Sequence, residues 1–141
     1  MILSKIMSKP VATVSMDTDL ATIKEIFDNA AFHHLLVESR GVLYGVISDR
    51  DLLQALSPFI DSDFETRRDH ATLNKRAHQI MTRQPITLEE HHDVFDAIAV
   101  FEEHSVSCIP IVDHERRILG IVSWRDIISL LHKNRDKLRK R

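Results

Sequence analysis

Cysteine is nearly absent: Cys108 is the only one, so no disulfide can form within the chain and secretion gains no support. Long apolar runs are missing as well. None approaches the roughly 20 residues of a membrane span, and the opening Met1-Ile2-Leu3-Ser4-Lys5 lacks a basic region followed by a long apolar one. A cytoplasmic location is expected, with no membrane partner. Neither charge dominates, because 19 Lys and Arg stand against 21 Asp and Glu for a net charge of −2. The surface as a whole is therefore no magnet for nucleic acid, and nucleic acid is not an expected partner. The nine histidines include His33-His34 and His91-His92-Asp93, but no His-Glu-x-x-His pattern or cysteine-rich cluster occurs. No metal site is expected. What remains is the composition of a folded globular chain, with 43% apolar and 28% charged residues over 141 positions. A chain of that size buries roughly 70% of its unfolded surface.

The most informative feature is an internal repeat. Gly45-Val46-Ile47-Ser48-Asp49-Arg50-Asp51-Leu52-Leu53-Gln54-Ala55-Leu56 returns as Gly120-Ile121-Val122-Ser123-Trp124-Arg125-Asp126-Ile127-Ile128-Ser129-Leu130-Leu131. Most differences exchange one aliphatic residue for another, as in a duplicated unit whose buried face is held constant. Each copy reads as a short buried strand, a sharp turn and a helix start, with Ser three residues ahead of Asp before an apolar run. The turn gathers a hydroxyl, a carboxylate, a guanidinium and the unpaired N–H groups of a helix N-terminus. That set suits a phosphate and sugar, and it equally suits an ordinary helix cap.

The repeat extends upstream. Ile6-Met7-Ser8-Lys9 matches Ile80-Met81-Thr82-Arg83, Asp19 matches Asp93 and Phe27 matches Phe101. One extra residue in the second copy belongs in a loop. Repeat one reads as an extended segment at 11–14, a helix capped by Asp19 that carries Leu20, Ile23, Ile26, Phe27 and Ala30, a strand at 35–37, a turn at Ser39-Arg40-Gly41, a return strand at 43–47 and a helix from 49 to about 56. Repeat two runs through the same order, with an extended segment at 86–88, a helix through Val94 and Phe101, strands at 108–112 and 118–122, and a helix from 124 to about 131. The boundaries expected are 1–57 and 80–133 for the repeats, with a charged linker at 58–79 that gains some helix at its end and a basic tail at 134–141. The tail lacks an apolar stripe and reads as solvated.

The order strand, helix, strand, strand, helix, carried twice, with Ile-Met-Ser/Thr opening each copy and Gly-aliphatic-aliphatic-Ser-x-Arg-Asp closing it, resembles a tandem pair of cystathionine-β-synthase (CBS) domains, the Bateman module. His34-Leu35-Leu36-Val37 and Cys108-Ile109-Pro110-Ile111-Val112 match at the middle strand. The resemblance implies an α+β fold in which two β-α-β-β-α repeats pack through their sheets with pseudo-twofold symmetry, leaving two clefts that take adenosine compounds: AMP, ADP, ATP or S-adenosylmethionine. It assigns Asp51 and Asp126 to the ribose diol, Ser48 and Ser123 to the phosphates with Arg50 and Arg125 beside them, and Thr13, Val11, Thr87 and Ile86 to the adenine pocket, with His34 on the cleft wall. A carboxylate suits a vicinal diol because it offers two acceptors to two donors. The middle-strand motif is incomplete in both copies, since Leu36 stands where the family often has proline and Cys108 where it has histidine. Equal occupancy of the two clefts is accordingly not implied.

The expected function is a non-catalytic regulatory module that needs no cofactor. An adenosine-type ligand would bias its packing or association, and through it a separate protein partner, because little of the chain lies outside the repeats. The resemblance also implies a homodimer. The alternative is a homodimeric interaction module that binds no nucleotide and whose caps are only caps. An enzyme is not expected, since no distinct base, nucleophile or metal set accompanies the two acids. Cys108 in its apolar run reads as a small buried hydrophobe, and Trp124 either stacks on a base or covers the core.

Overall fold

The computed structural model describes residues 1–139, which fall into two compact units: Ala12–Pro85, and Met1–Val11 together with the chain from Ile86 onward. Among these residues no helix is long and apolar enough to cross a membrane.

The first unit begins with β1 (Thr13–Val14), α1 (Leu20–Asp28), β2 (His34–Ser39), β3 (Val42–Ser48) and α2 (Asp49–Ala55). It continues with α3 (Arg67–Ala71), a 3-10 turn (Thr72–Asn74), α4 (Ala77–Ile80) and β4 (Thr82–Arg83). Asp19 caps α1 as the sequence predicts, its carboxylate accepting the Thr22 N–H at 2.9 Å, and hydrogen bonding from the Thr22 side chain, together with that N–H, holds its pKa below the ordinary value. The apolar spacing of α1 puts Leu20 and Ile23 in the core with Ile26 and Phe27 against them. The sheet runs β1-β2-β3-β4, parallel for the first pair and antiparallel for the others. Arg40 and Gly41, with φ of 54° and 80°, close the β2–β3 turn. Val14, Leu35, Val37, Ile47 and Leu52 complete the core, joined by Ala77 from the end of the linker and Met81 from the motif that opens the second repeat.

The second unit repeats this with β5 (Leu88–Glu89), α5 (Val94–Glu103), β6 (Cys108–Val112), β7 (Ile118–Ser123), α6 (Trp124–Lys133) and α7 (Arg135–Arg139). Strand order is β5-β6-β7. Its core is Val94, Ala97, Phe101, Ile109, Ile111, Val122 and Ile127, each the repeat equivalent of a core residue or core contact in the first unit. The extra residue lies in the β6–β7 turn, as anticipated. There Asp113 Oδ1 accepts the amides of Glu115 (2.8 Å) and Arg117 (2.9 Å), and Arg116 takes φ 64°.

The lead-ins are exchanged between the units. Leu3 from the start of the chain occupies the place in the second core that Ala77 occupies in the first. Ser8 pairs with Ile121 in an antiparallel bridge, just as Thr82 pairs with Val46. The glycines of the repeat motif explain the fit, because a Cβ on Gly45 would stand 2.6 Å from Met81 Sδ, and one on Gly120 would stand 2.6 Å from Met7 Sδ. The Met of Ile-Met-Ser/Thr thus seats on the Gly that closes the other repeat.

The linker is more ordered than its charge suggests. Thr66 and Asp69 form a reciprocal cap for α3, and Ser57 Oγ donates to Asp69 Oδ1 at 2.7 Å. The basic tail, read from sequence as a solvated run, is helical over Arg135–Arg139. Lys140 and Arg141 lie outside the described residues.

Candidate functional site

Both copies of the repeat motif build the same local arrangement. The strand ends at the serine, and the aspartate three residues on folds back to satisfy the amide that the strand can no longer pair. Ser48 N–H donates to Asp51 Oδ2 at 2.8 Å, and Asp51 N–H donates to Ser48 Oγ at 3.1 Å. In the second copy Ser123 N–H donates to Asp126 Oδ2 at 2.7 Å, and Ser123 Oγ donates to the same oxygen at 3.2 Å. Each carboxylate commits Oδ2 to the cap, and Oδ1 takes no part in it. All four residues are half-buried, while Arg50 and Arg125 are exposed.

Strand direction gathers the other expected residues of the first unit at this end. His34 opens β2 and pairs with Ser48 at the close of β3, while Thr13 opens β1 and pairs with Leu36. Thr13, His34, Ser48 and Asp51 thus share the end of the sheet at which α2 begins. Burial pushes the His34 pKa below its ordinary value, an effect the carboxylates of Asp49 and Asp51 partly oppose. His33 Nδ1 lies 2.8 Å from Asp49 Oδ2. Val11 is grouped with the other unit.

In the second unit Cys108 takes the His34 position opposite Ser123, and Trp124 takes the Asp49 position. The Trp124 ring lies 5.0 Å from that of buried Phe101 and is 49% exposed, so it covers the core with one face. Ile86 and Thr87 precede β5 instead of forming it. The cause is Pro110. In the first unit Leu36 N–H donates to Ala12 O at 3.1 Å and Thr13 pairs with Leu36. Pro110 has no N–H to give, and β5 starts one residue later, with Leu88 opposite Ile111.

Sequence reasoning overlooked Ser8. Its hydroxyl donates to Asp126 Oδ1 at 3.3 Å, bringing a residue of the first lead-in to the motif of the second repeat. The signal was present in the recurrence of Ile-Met-Ser and Ile-Met-Thr ahead of each copy. Among the described residues no group of three His, Cys, Asp or Glu side chains could hold a metal ion.

Comparison with known proteins agrees with this geometry. The CBS domain family model matches residues 3–58 and 77–133. A CBS domain-containing protein of Dictyostelium discoideum is 32% identical over 134 residues, covering 94% of this chain and 92% of that protein. Homoserine O-acetyltransferase of Methanococcoides burtonii is 28% identical over 127 residues, which are 89% of this chain but only 23% of the enzyme. Among solved structures, the CBS domain pair of protein MJ0100, in complex with 5'-methylthioadenosine and S-adenosyl-L-methionine, superposes with a TM-score of 0.78 at 27% identity, covering 95% of this chain and 98% of that one. The chain belongs to the CBS domain family and carries two copies of the domain.

Proposed function

We propose that the chain is a non-catalytic regulatory module that binds an adenosine-type ligand at the helix-start end of its repeats and so modulates a protein partner or its own association. The observation that carries this reading is the duplicated Ser-x-x-Asp turn, in which the cap engages Oδ2 of Asp51 and of Asp126 and leaves Oδ1 outside it, with Asp126 Oδ1 accepting from the Ser8 hydroxyl. The carboxylates of Asp51 and Asp126 suit a ribose diol, and the hydroxyls of Ser48 and Ser123 suit the phosphates. Arg50 and Arg125 suit a phosphate, Val11, Thr13, Ile86 and Thr87 suit the base, and His34 suits the cleft wall. The ligands of the MJ0100 pair, both adenosine compounds, support the class. A ligand that favours one packing over another shifts the equilibrium by its differential affinity.

Calorimetry against AMP, ADP, ATP, 5'-methylthioadenosine and S-adenosylmethionine tests this. Ligand at about 100 times its dissociation constant should stabilise the fold by about 2.7 kcal/mol. Asp51→Asn keeps an acceptor for Ser48 N–H but loses the charge, so ligand binding at that site should weaken at nearly unchanged stability. Asp51→Ala should also lose about 1 kcal/mol of cap. If no adenosine compound binds the wild type, the sensor reading fails.

A second reading, a homodimeric interaction module, has its own support. On α6, Trp124, Ile128 and Leu131 are 49%, 59% and 49% exposed at i, i+4 and i+7, a continuous apolar stripe beside the buried Ile127. Leu53, the equivalent of Ile128, is 73% exposed on α2. Such a stripe on an otherwise polar face suits a second copy of the chain. Dimerisation through this stripe is also compatible with ligand binding.

A further inference from the structure

Charge is unevenly distributed along the chain. Residues 133–141 hold six of the nineteen Lys and Arg but only one of the twenty-one Asp and Glu, so the rest of the chain carries thirteen cations against twenty anions. Where cations elsewhere have partners, these are visible: Lys24 lies 2.8 Å from Asp28 and 3.6 Å from Asp61, and Arg117 lies 3.2 Å from Glu115. Among the described residues no carboxylate lies within 4.0 Å of the charged groups of Lys133, Arg135, Lys137 or Arg139.

The stretch is also held to the end of the helix that bears the apolar stripe. Asn134 Nδ2 donates to Leu130 O at 2.9 Å, Lys137 N–H to Asn134 O at 3.1 Å and Arg135 Nη1 to Leu130's neighbour His132, at its carbonyl oxygen, at 3.2 Å. These bonds hold the start of α7 to the last turn of α6, the helix whose exposed side carries Ile128 and Leu131.

We propose that this cationic stretch docks on the acidic remainder of a second copy of the chain, alongside the α6 stripe. The inference rests on the self-association reading above. The choice of occupant follows from charge. A nucleic acid or an anionic bilayer would attract the stretch but repel the acidic remainder that comes with it, whereas the same acidic excess on a second copy is complementary. Attraction of this kind is screened by salt, while simple repulsion between two copies of net charge −2 would be relieved by it. The two cases have opposite signs.

Sedimentation equilibrium of the full chain at about 0.05 M and about 0.5 M NaCl tests the proposal. Several exposed ion pairs, each worth a few tenths of a kcal/mol, should make the dimer dissociation constant about tenfold higher at the higher salt. Lys137→Glu with Arg139→Glu, both at exposed positions, should raise the low-salt constant to a similar extent and flatten its salt dependence, with an unchanged far-UV circular dichroism spectrum. Ile128→Glu should abolish the dimer at both salts. A wild-type dimer indifferent to salt and to the double substitution overturns the docking role while the homodimer stands, and so does a dimer strengthened by salt. A wild type monomeric at every salt overturns both. Wild-type binding to duplex DNA or phosphatidylserine vesicles, lost in the double variant while the dimer is unaltered, assigns the stretch to another polyanion and overturns the proposal.

Discussion

At the scale of single residues, the motif glycines and His34 lead to separate expectations. Gly45 is held to a bare Cα by close approach, since a Cβ would meet Thr82 O at 2.9 Å as well as the Met81 side chain. A methionine can swing away, but the carbonyl belongs to the β3–β4 pairing and cannot. Gly45→Ala should therefore destabilise by about 1–3 kcal/mol in urea unfolding. At Gly120 the nearest backbone atom is Ser8 O at 3.1 Å, so Gly120→Ala should be the milder change. His34 titrates below its ordinary 6.5 because its site is desolvated. The folded state then resists a proton that the unfolded chain accepts, so the contribution of His34 to stability is constant above about pH 6.5 and declines as the pH falls below it. His34→Gln should flatten that part of the stability profile in chemical unfolding measured against pH. A profile for His34→Gln that parallels the wild type would remove His34 as the cause.

At the scale of elements, a proline governs where a strand begins. Leu36→Pro would delete the Leu36 N–H bond to Ala12 O and give β2 the constraint that Pro110 gives β6. A loss of about 1–2 kcal/mol is expected, seen as a fall in Tm of roughly 2–8 °C. Much at this scale was legible beforehand. The helix capped by Asp19, the β2–β3 turn at Arg40-Gly41 and the Ser-x-x-Asp turns all follow from local rules of capping and φ preference, which need no knowledge of distant partners. The displaced start of β5 was not read, although Pro110 was in view, because its effect depends on which neighbour its missing N–H would have met. Trp124 was left open between stacking and packing for the same reason: the choice turned on Phe101, twenty-three positions away. Ser8 was invisible as a contact of Asp126 because the two stand 118 residues apart. Periodicity reveals which face is buried but not whose lead-in covers it.

At the scale of the whole molecule, repeats in sequence and units in space do not coincide. Residues 1–57 contain a full strand, helix, strand, strand, helix order, yet the core they form takes Ala77 and Met81 from beyond them, while Leu3 belongs to the other core. A fragment spanning 12–85 should fold cooperatively by circular dichroism and urea titration, and a fragment spanning 1–58 should not. Equal stability of the two would show that the exchanged lead-ins contribute little.

The exchange also orders events in time. During synthesis the unit of residues 12–85 is complete once Met81 and Thr82 have emerged, and its contacts can close at once. Residues 1–11 emerge before that unit and wait longer than it does, because Ile121 and Asp126, to which Ser8 attaches, are among the last parts of the second unit to be made. Loops of that length close slowly, and domains that finish first fold first. The segment of residues 1–11 is thus the late-arriving strap of the second unit, and until it docks, Gly120 and Asp126 present an unfinished edge.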